Sequence, residues 1–498
     1  MRKVGWIAFF LSLAGVLAAA LVADRVFERV PHVEDEMAYV WQAKVYARGQ
    51  LTAPAPPDPG EMMVPFVVNY HGQRFAKYPP GWPMLLAFGV LLGLRDWVNP
   101  LLAGLAIWLT YRLGGKLFSR GVGLLAAFLI LTSPLFLINS GSLDSHPWSL
   151  VLSLVFTLAW LDAFGLGKVE GKPIPAWLTA PIAGLSLGLL ALTRPLTALA
   201  VGLPFFVHGL IRLFRGGPAD RRRVLAIGLL GLATGLLFFA WQYGVTGSPF
   251  IDPYTLWWSF DRIGFGPGIG TAAGGHTLLL GLRNARDMLK AGARDLFGWK
   301  SYSWLFLPFG LWAMRRNRPA WLALGIFPAL VGAYVFYWAE AVHYGPRYYY
   351  ESLPILALVS AAGIFWLAGR IKTRPWNRIN PALAALLTAA LVGYNLQAFL
   401  PATLKTVYGL YGIHRSQLAP FQTGEAKTHT PALVFVHIEK TWTEYGGLLE
   451  LEDPWLTSPF IFAWSNTPAT DARLASQYPQ RQVLQYYPDK PGQLFASP

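Results

Sequence analysis

The chain has 498 residues, of which 54% are hydrophobic and 13% charged, with 21 tryptophans and a mean hydropathy of +0.39. That is too apolar for a soluble domain and marks an integral membrane protein. The net charge of +15 does not signify nucleic acid, because the basic residues sit in short clusters between apolar runs, and the absence of cysteine excludes disulfides and thiolate metal sites.

Apolar runs near the length that crosses roughly 30 Å of hydrocarbon recur to about residue 399. Lys and Arg favour cytoplasmic loops, so Arg2-Lys3, Arg112 with Lys116 and Arg120, Lys168 with Lys172, Arg212 to Arg223, Arg315 to Arg318 and Arg370 to Arg378 are expected inside. The first run, about 6–23, is read as an uncleaved anchor, although its "MRK" start and "AAALVA" end also fit a signal peptide. Residues 24–97 then form an outer loop. Within it, "EDEMAYVWQAKVYARG" reads as a short amphipathic surface helix with Glu34, Asp35 and Glu36 in its opening turn and Gly49 placed to end it. Carboxylates there suit the helix dipole, and they equally suit a base or a cation-binding site; the helix alone does not choose.

Further along the loop, "APAPPDPGE" is a rigid segment, and Arg74 and Lys77 stand just before Pro79-Pro80, whose fixed φ angles make a stiff entry into apolar residues 83–94. That stretch is too short to cross and is expected along the outer membrane surface. Spans follow near 98–117, 121–138, 147–165, 176–193, 196–214, 223–242, 303–314, 320–338, 351–369 and 381–399, about eleven in all with the first, leaving the tail outside. A long outer loop, 243–302, carries a Gly-rich segment, Gly264 to Gly275. It lacks a strand-to-helix context and a GKS or GKT ending, so a flap beside a site fits it and a nucleotide P-loop does not. From residue 401 to 498 the pattern is that of a small soluble α/β domain, with strands at 432–438, 460–464 and 483–487 and a helix around 469–477.

With this topology the unusual polar residues share one side: "VEDEMAYVWQAKVYARGQ", Lys77, "NSGSLDSHPWS", "TRP" and "EAVHYGPRYYYE". Arg347 has the planar fork that holds phosphate bidentately, whereas Tyr348, Tyr349 and Tyr350 also fit an interfacial aromatic belt. Arg194 is a cation on the side that should be poor in them. His71, His146 and His343, with Asp35, Glu36 and Asp144, leave room for a divalent ion, but no spacing such as HxxxH supports one, and no metal or other cofactor is firmly expected. His146 reads as a hydrogen-bond donor to substrate or as a capping neighbour of Ser142 and Ser145.

Taken together, "DEMAYVWQAK", "KYPPGWP", "YRLGGKLF", "SGSLDSHP", "TRPLTALA" and "GPRYYYESLP" resemble the GT-C glycosyltransferases over roughly residues 1–400. More narrowly, they are similar to the family 39-like group that includes protein O-mannosyltransferases, aminoarabinose transferases and Rgt-type enzymes. The resemblance implies an all-α polytopic membrane fold and transfer of a sugar from a polyprenyl-phosphate donor to a glycan, lipid or protein hydroxyl at the extracytoplasmic face of the cell membrane. It assigns Asp35 as catalytic base with Glu36 its neighbour. Lys77, Arg347, Arg194 and Arg74 are the expected ligands of the donor phosphate, and His146, Ser142, His343, Tyr348 and Tyr78 the expected contacts to substrate. A transporter or flippase is the competing class. Its usual signs are inverted repeats, broken helices and ionisable groups at mid-bilayer, whereas here the interior spans are almost purely apolar and the polar groups gather outside.

Overall fold

The computed structural model describes residues 2–168, 174–340, 343–369, 381–439, 441–490 and 495–496. Among the described residues, five helical stretches are long and apolar enough to cross a membrane: Val4–Arg25, Pro195–Arg215, Pro218–Thr246, Arg347–Leu367 and Pro381–Gly412. A sixth crossing is available if Arg120–Leu131 and Pro134–Gly141, bent by 61°, make one broken span. Leucines and phenylalanines such as Leu199, Phe206, Phe214, Leu229 and Leu232 face outward. So large an apolar exterior belongs in lipid rather than in water.

The bundle is built from α1 (Arg2–Arg25), α4 (Val98–Leu117), α5 (Arg120–Leu131), α6 (Pro134–Gly141), α7 (His146–Ala163), α8 (Ala176–Ala191), α9 (Pro195–Arg215) and α10 (Pro218–Thr246). Between α1 and α4 lie α2 (Glu34–Ala47) and α3 (Gly81–Leu91). Two expected spans take a different form. Only α13 (Leu307–Ala313) forms within 303–314, and 320–338 divides into α14 (Arg318–Leu324) and α15 (Ile326–Tyr334), separated at Gly325. The expected span at 351–369 is a 3₁₀ turn, Arg347–Ser352, leading into α16 (Leu353–Leu367). The last, 381–399, is α17 (Pro381–Tyr394), which continues through a π-helical turn into α18 (Leu400–Val407).

Helix α4 orients everything else. At one end the Asn99 side chain donates to the carbonyls of Ser142 and Asp144, at 2.7 and 2.9 Å. At the other, Lys116 pairs with Asp162 at 2.5 Å, Asn317 donates to the Leu117 carbonyl at 2.6 Å, and the Lys168 ammonium donates to the Phe118 carbonyl. From Asn99 to Leu117 is roughly 27 Å at about 1.5 Å per residue, close to the hydrocarbon thickness. The basic clusters around 112–120, 168 and 315–318 therefore gather at one end of the bundle, and the Asp144 loop lies at the opposite end. Lys172 and Arg370 to Arg378 lie outside the described residues.

The stretch between α1 and α4, expected as an outer loop, differs most from expectation. Helix α2 is not a surface helix: Glu36, Met37, Ala38, Tyr39, Val40, Trp41, Gln42, Ala43 and Val45 are all buried. It ends where expected, with Gly49 at φ 72°, a left-handed position that favours glycine. Beside it lies a three-stranded antiparallel sheet in the order β1 (Ala53–Pro54), β3 (Gln73–Ala76), β2 (Val67–Tyr70). The turn between β2 and β3 puts His71 at φ 49° and Gly72 at φ 74°, the two positive angles of a type I′ hairpin. His71 is therefore an exposed turn residue.

Helix α2 is buried because the C-terminal segment closes over it. There β4 (Ala432–Val436) pairs in parallel with β5 (Phe460–Trp464) and β6 (Gln482–Tyr486), with a helix at Pro468–Ser476, close to the expected ranges. Met37 joins the core made by Ile413, Leu418, Tyr445 and Leu448. Lys44 donates to the Glu452 carbonyl at 2.8 Å, and Arg95 grips Glu450 with contacts of 2.7 and 2.9 Å. The stretch expected as one outer loop, 243–302, holds the end of α10, a short helix α11 (Pro253–Trp257) and the 18-residue helix α12 (Leu278–Asp295). Its Gly-rich segment is tied down by the bridges Ile263 to Tyr337 and Gly266 to His276.

Candidate active site

The three acids that open α2 have separate fates. Glu36 is fully buried, and its carboxylate accepts the backbone N–H of His32 at 2.7 Å and that of Leu143 at 3.0 Å. It fastens the start of the helix to the 142–145 loop, which is the capping account, and burial pushes its carboxyl up to about 7. Asp35 turns the other way. Its Oδ2 accepts from Arg347 Nη2 at 2.9 Å, and its Oδ1 accepts from the hydroxyl of Tyr78. The expectation that Glu36 shares the catalytic position is therefore corrected: it clamps the backbone.

Arg347 is the centre of the cluster. Its second terminal nitrogen, Nη1, donates to Asp144 Oδ2 at 2.7 Å, so one guanidinium spans two carboxylates contributed by α2 and by the loop before α7. Asp144 is held in turn by the Ser145 N–H at 2.7 Å, and its loop by Asn99 and by the Trp82 indole, which donates to the Leu143 carbonyl at 3.0 Å. The two acids differ in access. The side chain of Asp144 is 1% exposed and that of Asp35 is 17% exposed. Of the two carboxylates that grip Arg347, Asp35 is the more accessible.

Arg194, at the N-terminus of α9, stands beside this pair with neutral partners: Ser145 Oγ at 3.3 Å, Tyr334 OH at 3.2 Å and Thr197 Oγ1 at 3.4 Å. Tyr348 stacks on Tyr334 at 4.3 Å and presents its ring to Arg194 at 5.8 Å. Among the described residues no carboxylate lies within ion-pairing distance of Arg194. It is a cation at the site still able to take an anion.

Lys77 is already committed. It pairs with Asp261 at 3.0 Å, with side chains 4% and 1% exposed, inside a cage of Phe66, Tyr254 and Trp258. Asp261 also accepts from Tyr337 OH at 2.9 Å and Trp338 Nε1 at 3.1 Å. The site therefore does not present Lys77 as a free phosphate ligand. Arg74 is corrected further. It is fully buried, donates to the Met62 carbonyl at 2.8 Å and faces Trp41, on the side of β3 covered by the C-terminal segment.

The expected substrate contacts also divide. Tyr78 and Tyr348 line the cluster as described. Ser142 is buried in its own turn, donating to the Asn139 carbonyl at 2.9 Å and accepting the Asp144 N–H at 3.2 Å. His146 is buried behind Asp144, its Nε2 at 3.6 Å from Oδ2, too long for a hydrogen bond. His343 is exposed at the rim, 3.1 Å from the hydroxyl of Tyr411. Tyr349 and Tyr350 are core residues, not an interfacial belt. Sequence reasoning missed Asp261 altogether and considered Asp144 solely as a metal co-ligand. The second had a signal in the acid of "SLDSHP"; the first, a lone aspartate in an aromatic loop, had none.

Residues 85–215 match the family model described as oligosaccharyl transferase STT3, N-terminal, a segment that includes Asp144 and Arg194 but neither Asp35 nor Arg347. A search of curated protein sequences returned no match. Among solved structures the chain is similar to the Archaeoglobus fulgidus oligosaccharyltransferase in its apo form, with a TM-score of 0.54 and 15% identity over 91% of this chain. The chain spans 64% of that enzyme's length. It is also similar to ArnT from Cupriavidus metallidurans bound to undecaprenyl phosphate, with a TM-score of 0.56, 17% identity, and coverage of 98% of this chain and 92% of that one. The architecture is thus that of the GT-C fold, as the motifs suggested. A structure of the archaeal enzyme with zinc and sulfate matches as well, with a TM-score of 0.52, 15% identity, and coverage of 95% of this chain and 67% of that one. Here the residues do not fit a metal: among the described residues no three His, Asp or Glu side chains are grouped to hold one, and the guanidinium of Arg347 bridges Asp35 and Asp144.

Proposed function

We propose that this protein is a membrane glycosyltransferase that moves a sugar from a polyprenyl-phosphate donor to an acceptor hydroxyl in a single inverting displacement. The observation that carries the reading is the convergence at one end of the bundle of an accessible carboxylate, Asp35, and two guanidinium groups, Arg347 and Arg194, from segments far apart in the chain. The solved ArnT structure, which carries undecaprenyl phosphate, supports the donor class.

The chemistry follows from the charges. Tyr78 and Arg347 both donate to Asp35, which fixes its carboxylate in place as the base. It takes the proton of the acceptor hydroxyl while that oxygen bonds to the anomeric carbon and the bond from that carbon to the phosphate oxygen breaks. The departing lipid phosphate gains negative charge, which preorganised cations in a partly dry site stabilise. Arg194 supplies that charge, Arg347 holds Asp35 in line, and Lys77 anchors the outer loops through Asp261. No step passes through an enzyme-bound sugar. A carrier is disfavoured, since the acid and base groups of the site gather at one end of the bundle.

The topology belongs to the same proposal: about eleven crossings within 1–400, a C-terminal domain at 401–498, and the site on the extracytoplasmic face. Asp35→Asn tests the chemistry. Transfer falls by about 10²–10⁴-fold with the purified fold intact; unchanged transfer would mean that Asp35, like Glu36, merely holds structure.

A further inference from the structure

Helix α12 has a face that the rest of the protein does not cover. Its inner face is made of Gly281, Ala285, Met288 and Gly292, buried at helical spacing. Contact there is close: a Cβ added to Gly281 would come within 2.1 Å of the Val335 carbonyl oxygen. The N-terminal turns expose Leu278, Leu279 and Leu282 at 56%, 78% and 52%, Leu279 opposite the buried stripe and Leu278 and Leu282 toward one edge of the open face, at about 100° per residue. Beside them Arg283, Arg286 and Lys290 have side chains 67%, 60% and 68% exposed, and all three share one carboxylate, Asp287. Phe265 and Phe336, in contact at 4.9 Å, extend the apolar surface next to the helix.

The location excludes bulk water as the sole neighbour. Pro346, adjacent to Arg347, lies 3.9 Å from a Cβ added at Gly292, and the Asn284 side chain donates to the Trp338 carbonyl at 3.1 Å. The helix therefore lies at the end of the bundle that holds Asp35. A helix with leucines along one edge of its open face at the N-terminal end, three cations at the centre of that face and one acid among them suits the plane between acyl chains and headgroups. We infer that α12 lies in the headgroup layer of the leaflet on the Asp35 side, with its leucines at the acyl boundary and Arg283, Arg286 and Lys290 binding anionic phospholipid phosphates. Through Asn284 and Trp338 the membrane surface then reaches Asp261 and Lys77. This inference stands apart from the glycosyl-transfer reading.

The chain has no cysteine, so a single nitroxide label reports one position cleanly. The full-length Leu279→Cys variant, labelled and placed in nanodiscs of phosphatidylcholine with and without phosphatidylglycerol, is expected to be relaxed more by oxygen than by a water-soluble nickel chelate. Phosphatidylglycerol should widen that contrast. In parallel, phosphatidylglycerol retained on the detergent-purified protein should fall by about five-fold for each cation removed by Arg283→Gln, Arg286→Gln and Lys290→Gln, exposed positions where folding is not at stake. A label that stays in water in both bilayers would assign the face to a soluble partner or a second copy and overturn the inference. So would insertion indifferent to phosphatidylglycerol, or retention that the Gln variants leave unchanged.

Discussion

Replacing Asp261 by Asn is a sharp test of how the loops that carry Lys77 and Asp261 are held together. The substitution keeps the shape that Tyr337 and Trp338 contact but removes the charge facing Lys77 at 3.0 Å. Removing one partner of a buried pair costs about 3–5 kcal/mol, because the remaining charge stays desolvated. The cost has a ceiling. Burial already draws the Lys77 ammonium below its ordinary range, and a lysine can escape by shedding its proton, which at neutral pH costs about 5 kcal/mol from an ordinary pKa. The rings of Phe66 and Trp258, 3.8 and 4.7 Å from the ammonium, soften the loss, since a desolvated cation–π contact is worth about 2 kcal/mol. Asp261→Asn should therefore destabilise by about 3 kcal/mol, and adding Lys77→Met should recover most of it. The assay is a double-mutant cycle by denaturation in mixed micelles. A coupling below about 0.5 kcal/mol would show that the pair does not hold the loop, and would return Lys77 to the candidates for the donor phosphate.

Other outcomes follow from the same geometry. Arg347→Lys keeps one positive charge but cannot span Asp35 and Asp144, so transfer should fall by about 10²-fold or more, read as kcat with donor saturating; near-normal turnover would mean the bridge is not needed. Arg194→Ala should cost about 10²–10³-fold in kcat; an effect on stability alone would remove it from the phosphate site. Glu36 gives a pH signature. Its carboxyl titrates near 4.5 in the unfolded chain and at about 7 when buried, so its protonation stabilises the fold fully below about 4.5, and this contribution is lost as pH rises through about 7. Glu452, also pushed up to about 7 by burial, acts in the same sense. Stability should decline across that window, and Glu36→Gln should flatten the decline. A slope that Glu36→Gln leaves untouched would refute the assignment.

Apolar length and basic clusters made the membrane bundle legible, and with it the end at which Asp35, Asp144, Arg194 and Arg347 meet. What stayed hidden was direction within an element. Arg74 and Lys77 looked like one pair of cations before Pro79, yet residues 74 and 77 in an extended run point to opposite faces, and the hairpin signal in "NYHGQR" was the clue that the run is extended. Residues 34, 35 and 36 likewise share one helical turn but project about 100° apart, so one caps the backbone while its neighbour meets Arg347. The burial of α2 was not legible from its own pattern, because the surface that covers Met37 and Lys44 comes from residues more than about 370 positions later. Lys77 could not be known to be occupied while Asp261 was a single acid in a long loop.

The most direct measurement is mass spectrometry of lipid co-extracted with the purified protein, comparing the unaltered chain, Asp35→Asn and Arg194→Ala. A glycosylated polyprenyl phosphate enriched on the first, accumulating on the second and lost from the third is the predicted pattern. Recovery of bulk phospholipid alone from all three, under conditions where polyprenyl phosphates are abundant in the membrane, would contradict it.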